Sequence, residues 1–323
     1  RMALTFACWG YDRTEALRTG AVPVEGIDIE YLDLYPREIF DRMGGAREFA
    51  ASEFSFTEYT MHFARGDSPY VAIPVFPSRA FRHSFIFVNR HAGIRTPKDL
   101  EGKRVGLPIY TMTAALWQRG MLSDEYGVDW HKIDWVQGQV DAAGAHGEPK
   151  IPPLLKPVAL ETAPADKSLG DMLVDGTLDA SMGTRNPDTA GHRNLARLFV
   201  DHRSAERDYF QRTGLFPIMH LIAIRRDVHE ANPGFAQALY DALCKAKTLA
   251  LKKMHYAGAN VAMTPFMAAD VEEIDTIFGG DPFPYGIESN RHTIETMIRY
   301  MVEQDYIPET IPVEALFLPV EEG

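Results

Sequence analysis

The sequence predicts an α/β protein built as two lobes around a central cleft. Two observations point there. From Leu4 to about Asn232, short apolar runs rich in Val, Ile, Phe and Tyr alternate with helix-like stretches. A last strong apolar run, GLFPIMHLIAIRRD, follows a second α/β block that ends near Arg212. A chain that leaves one sheet, builds another and returns makes two crossovers. The expected division is residues 1–104 with 216–323 as lobe I and 105–215 as lobe II. The length of 323 residues suits two units of ~150 each.

LTFAC reads as the first strand, and TEALRTG as a helix stopped at Gly20. IDIEYLDL alternates apolar and polar, so it reads as a half-buried strand. REIFDRMG is a short helix ended by Gly44 and Gly45, and EFAASEFSFTEYTMHFARG passes from strand to helix. YVAIPVF and SFIFVN read as strands on either side of a polar, basic break, PSRAFRH. TPKDLEGKRVGLP is a helical turn and a strand. After it, Tyr110, Thr111 and Thr113 lead into an amphipathic helix ending near Gly127. That helix start suits an anion, or Thr111 or Thr113 simply caps it. KIDWVQG is a strand. Residues 139–167 break the pattern, and a loop of that length tends to be a lid or an arm. SLGDMLVDGTLDASMG is helix, turn and strand, and the chain beyond Asn232 is largely helical.

Composition excludes several classes. Hydrophobic residues make up 46% and charged residues 24%, as in an ordinary globular protein. The formal charge of −12 lacks the basic face that releases counterions from nucleic acid or grips an anionic membrane. No apolar run reaches the ~18 residues of a membrane span. The start shows no secretory leader pattern, and Arg1 before Met2 favours a natural start at Met2, so a cytoplasmic location is expected. Cys8 and Cys244 stand far apart and read as free thiols. GxGxxG, P-loop, GxSxG and HExxH motifs are absent, so no nucleotide cofactor or serine-hydrolase mechanism has motif support.

Ligands of open α/β sheets bind at the carboxyl ends of strands, so the loops there are the candidate site. They supply Tyr11, Asp12 and Arg13, then Glu53, Ser55 and Thr57, then Arg79, Arg82 and His83. The second lobe adds Tyr110, Thr111, Thr113 and Arg185, and the returning strand adds His220. Arg13, Arg79, Arg82 and Arg185 together in an acidic chain suit an acidic ligand, because guanidinium pairs with carboxylate through two parallel hydrogen bonds. Any one of them alone reads more simply as a surface ion pair, so the acidic-ligand reading rests on the cluster. His83 reads either as a proton donor or as a structural histidine. His220, inside an apolar strand, reads more simply as a core residue. Glu53, His83 and His220 could meet as metal ligands, so a divalent metal stays open, although no ligand spacing calls for one.

Five segments carry a resemblance: YDRTEAL at 11–17, FPSRAFRHSFIFVN at 76–89, VGLPIYTMTAALWQRGML at 105–122, TGLFPIMHLIAIRRDV at 213–228 and DPFPYGIESNRHTIETMIRYMVEQ at 281–304. The proline-rich 148–160 stretch and LGDMLVDGTLDA at 169–180 add to it. With these, the chain resembles the 4,5-dihydroxyphthalate decarboxylases. The resemblance implies a type II periplasmic-binding-protein-like fold. It also implies loss of CO2 from an aromatic diacid, giving protocatechuate (3,4-dihydroxybenzoate), without an organic cofactor. On that footing Arg13, Arg79 and Arg82 would grip the carboxylates, helped by Thr111 and Thr113. His83 would donate the proton, with Asp12 or Glu53 orienting it or acting on the phenol. Tyr110, Arg185, His220 and the group Tyr285, Asn290 and Arg291 stand behind these. The expected partner is a small aromatic dicarboxylate, and a homo-oligomer stays open. The other reading is a solute-binding protein of a transporter or sensor that closes on its ligand and does no chemistry.

Overall fold

The computed structural model describes residues 2–147 and 149–323. In chain order, β1 (Met2–Ala7) leads through α1 (Glu15–Arg18) to β2 (Ile27–Leu32), α2 (Pro36–Gly44), β3 (Ala51–Ser55), α3 (Phe56–Ala64) and β4 (Tyr70–Ile73). Then come β5 (Phe87–Asn89), β6 (Arg104–Leu107), α4 (Thr113–Tyr126), β7 (Asp134–Gln137) and β8 (Leu160–Thr162). α5 (Leu169–Asp175), β9 (Ala180–Ser181), β10 (Leu195–Arg197) and α6 (His202–Thr213) complete this middle part. The chain returns through β11 (His220–Arg225) and α7 (Arg226–Ala231), and ends with α8 (Phe235–Met254), α9 (Met267–Phe278) and α10 (Arg291–Glu303).

The strands form two sheets, in the orders β2-β1-β3-β11-β4 and β10-β5-β9-β6-β7-β8. β1 runs parallel to β2 and β3, while β11 enters antiparallel between β3 and β4. The expected two α/β lobes with two crossovers are therefore present. β4 and β11 are covered on both faces and read as nearly continuous apolar runs, whereas β2, at the sheet edge, alternates between half-buried and exposed residues. Along β11, Leu221 and Ala223 join the core shared with α2, α3 and α4. Ile222 and Ile224 point the other way, into the core under α8. Period-2 geometry produces this split.

Three details differ from expectation. The first crossover lies between β4 and β5, not near residue 104. β5 pairs with β9 and β10, so SFIFVN belongs to the second sheet. An apolar run announces a strand but not its partner. Within residues 139–167 lies β8, parallel to β7 with all three residues exposed. β10 is equally short, and strands this brief carry no readable periodicity. Third, α10 does not return to the first sheet alone. It packs on α4, where a Cβ on Gly120 would lie 2.4 Å from the Tyr300 ring. The Tyr300 hydroxyl donates to Asp124 at 2.8 Å, and Gln304 donates to the Leu116 carbonyl at 3.0 Å.

Cys8 and Cys244 are both free thiols. Among the described residues no helix is long and apolar enough to cross a membrane.

Candidate active site

The site begins where β3 ends and β11 starts. The antiparallel register sets His220 opposite Ser55 and Ile222 opposite Glu53. Residues directly opposite share a face, so Glu53 and His220 are diagonal neighbours. His220 Nδ1 lies 2.6 Å from Glu53 Oε2. Glu53 is wholly buried and also accepts from the Tyr11 hydroxyl at 2.5 Å and the Trp9 N–H at 3.1 Å. Burial alone would raise this carboxyl, but the His220 charge and these hydrogen bonds outweigh it and hold it below its usual range. Tyr11 is pushed the other way, by burial and then by the Glu53 charge, so its hydroxyl stays a donor. A carboxylate is acceptor-only, so Nδ1 carries the proton and Nε2 is left toward the cleft. The His220 ring is steadied edge-on against Phe40, centroids 4.8 Å apart.

His220 forms one wall of a cleft with about 460 Å³ of empty space between the two sheets. Arg82 and Arg37 bring positive charge to it. Arg82 donates to the Thr184 carbonyl at 3.3 Å, and its buried Nε has no partner among the described residues. Burial lowers this guanidinium to about 10, which leaves it cationic at neutral pH. Two helix starts also converge here. Ser55 caps α3 by accepting from the Glu58 N–H. No side chain caps α4, so neither Thr111 nor Thr113 does the capping that was one reading of this turn. The Thr113 hydroxyl instead bridges the sheets, 3.2 Å from Ser55 Oγ and 3.1 Å from Thr57 Oγ1. The uncapped N–H groups of α4 and its positive dipole end favour an anion in the cleft.

Glu58 and Arg37 are cleft residues that the sequence reading did not pick out. Arg37 holds Asp41 at 2.8 Å and approaches Glu58 Oε1 at 3.5 Å. Glu58 is 5% exposed, and its Oε2 has no hydrogen-bond partner among the described residues. Burial pushes its pKa up to about 7 despite Arg37. The S-x-x-E spacing of Ser55 and Glu58 was the available signal, but it reads as a capping box and directs attention to the helix end.

Of the residues singled out from sequence, Ser55, Arg82, Thr111, Thr113 and His220 line this cleft, with Glu53 directly behind His220 and Thr57 bonded to Thr113. The others are elsewhere. His83 is 2% exposed, edge-on to Phe199 and Tyr209, and burial lowers it to about 4. It is therefore neutral, apart from the cleft, and not beside Asp12 or Glu53. Asp12 and Arg13 border a separate cavity near Lys247 and Phe283. Arg13 is held by the Pro77 carbonyl and between the Tyr11 and Phe283 rings. Arg79 is buried, donating to the Phe216 carbonyl at 3.2 Å and Asn290 Oδ1 at 2.8 Å, so it ties the C-terminal segment down. The Tyr110 ring lies 3.8 Å under Arg119. Arg185 pairs with Asp141 at 2.5 Å on an exposed rim. Tyr285 is buried, and Arg291 pairs with Glu288 and Glu314. Glu53 and His220 meet, but His83 does not complete a ligand trio; among the described residues no three metal-ligating side chains converge.

No protein-family model matches the chain. In fold, it is similar to the periplasmic aliphatic sulphonate binding protein SsuA of Escherichia coli, with TM-score 0.55 and 12% identity over 98% of this chain and 97% of that one. It is also similar to the alkanesulfonate-binding protein SsuA of Xanthomonas axonopodis, with TM-score 0.51, 11% identity and 98% of each chain covered. These likenesses show the periplasmic-binding-protein fold. In sequence, it is 34% identical over 300 residues to the 4,5-dihydroxyphthalate decarboxylase of Comamonas testosteroni, covering 92% of this chain and 91% of that protein. The enzyme of the same name from Pseudomonas putida is 36% identical over 213 residues, 65% of this chain and 82% of its own length. On this sequence likeness, the chain belongs to the 4,5-dihydroxyphthalate decarboxylase family.

Proposed function

We propose that this protein removes CO2 from 4,5-dihydroxyphthalate to give protocatechuate, a step of aromatic-acid breakdown. The observation that carries the proposal is His220, anchored by buried Glu53 and opening onto a cleft with two arginines. In the substrate each hydroxyl lies para to a carboxylate. Removing a phenolic proton therefore pushes electron density onto the ring carbon that must be protonated. With Nδ1 fixed on Glu53, His220 presents Nε2 as the base for that proton and returns it to the phenoxide afterwards. The buried carboxylate stabilises the imidazolium in between. Arg82, Arg37 and the uncapped start of α4 hold the two carboxylates. Once the ring carbon is protonated, the C–C bond breaks, its electron pair restores aromaticity and CO2 leaves.

The reading calls for no organic cofactor, since the ring itself takes up the electron pair. The two unpaired thiols suit a reducing compartment, and we place the reaction in the cytoplasm. Incubation of the purified protein with 4,5-dihydroxyphthalate tests the activity: CO2 and protocatechuate are expected in equal amounts. Thermal stabilisation by the diacid with no product would replace this reading with that of a binding protein.

A further inference from the structure

We propose that Glu58 is the acid that protonates the ring carbon as CO2 departs. This rests on the decarboxylase reading above and supplies what His220 cannot. His220 receives the phenolic proton, so the proton that replaces the carboxylate needs a second source. Glu58 is the carboxyl that lines the cleft itself, whereas Glu53 lies behind His220 and is engaged by the Cys8 thiol, the Trp9 N–H, the Tyr11 hydroxyl and His220.

The surroundings of Glu58 favour the protonated form. The residue is 5% exposed, on the first turn of α3, and Oε2 meets no donor among the described residues. The position of a Cβ on Gly44, 3.6 Å from Oε2, marks the close approach of the α2 backbone. The charged groups facing Glu58 are Arg37 and Asp41, both on α2, with opposite effects. His146 approaches the same pair from the segment after β7, and Arg82 and His220 complete the cleft. With its pKa raised to about 7, a large fraction of Glu58 carries a proton at neutral pH. Neighbouring Arg37 then stabilises the carboxylate that remains once the proton has gone.

The step balances. The Glu58 O–H bond breaks and a C–H bond forms at the ring carbon bearing the departing carboxylate. The C–C bond to that carboxylate breaks, and its electron pair returns to the ring. The phenolic proton on His220 goes back to oxygen, and water reprotonates Glu58. One proton is consumed per CO2 released from a carboxylate.

The test uses Glu58→Gln beside the wild type, with phthalate as an inert diacid that lacks the activating hydroxyls. Wild-type turnover is the control that separates the two claims, because its absence sinks the decarboxylase reading itself. Given turnover, Glu58→Gln is expected to lose at least about 100-fold in kcat. Its Kd for phthalate should stay within about threefold, and Glu58→Asp should recover part of the rate. Wild-type kcat should fall as pH rises through about 7, while the residual rate of Glu58→Gln should lack that limb. A Glu58→Gln enzyme within about threefold of wild type overturns the assignment while leaving the decarboxylase reading standing. Should that variant not fold, a wild-type kcat that stays level from pH 6 to 9 overturns it equally.

Discussion

His220 Nδ1 sits 2.6 Å from Glu53 Oε2, and the two differ sharply in access: the carboxylate is fully buried while the imidazole reaches the cleft. A buried anion behind an accessible ring fixes the tautomer and the orientation of the ring together.

Disrupting that pair should act on rate before binding. His220→Gln is expected to lower kcat by about 10²–10⁴ with KM changed only modestly. Glu53→Gln keeps the shape but removes the charge that stabilises imidazolium, so it should also lower kcat. Steady-state kinetics of both variants is the check. A His220→Gln enzyme near wild-type kcat would remove the histidine from the mechanism.

Arg82 should act on binding. Arg82→Lys keeps a charge but loses the planar fork that meets a carboxylate with two hydrogen bonds. A rise in KM of about tenfold, roughly 1.4 kcal/mol, is expected. Arg79→Lys, altering a guanidinium committed to Phe216 and Asn290, should lower thermal stability and leave KM near wild type. Titration with phthalate separates the two.

His83 should govern acid stability rather than turnover. Burial, reinforced by Arg212, lowers its folded pKa to about 4 from the 6.5 of an unfolded chain. At pH 7 both states are neutral and the group has no effect. As pH falls below 6.5 the unfolded chain takes up a proton that the folded one refuses, so stability drops until about pH 4. Linkage puts the loss at roughly 2 kcal/mol by pH 5. His83→Leu should therefore lose less stability than wild type between pH 7 and 5, with turnover retained. Urea titrations at both pH values measure this.

Gly120 should tolerate no side chain. A Cβ there would meet the Tyr300 ring at 2.4 Å, at the contact where α10 packs on α4. Gly120→Ala is expected to destabilise by about 1–3 kcal/mol, read by denaturant unfolding.

Local pattern made most strands and helices legible. LTFAC, IDIEYLDL and YVAIPVF announce themselves through periodicity and β-branched content, and the late apolar run at 220–225 correctly implied a return to the first sheet. Sequence also marked Glu53, Arg82, Thr111, Thr113 and His220 as strand-end residues, because the carboxyl ends of strands are where such folds place ligands. It could not rank them. His83 and His220 are both histidines beside apolar runs, and their difference lies in what packs around them: Phe199 and Tyr209 enclose one, while Glu53 and an open cleft flank the other.

The chain's own residues thus determined the α/β alternation, the two crossovers and the family. Tertiary structure alone decided that β5 crosses to the second sheet, that Arg79 serves the fold while Arg82 faces the cleft, and that the Glu58 side chain turns into the cleft instead of closing a capping box. Periodicity records which face of an element is buried, but not which distant element buries it. Burial and long-range contact set the charge state of a side chain, so chemistry at this site became readable only once residues 37, 53, 58, 82 and 220 stood together.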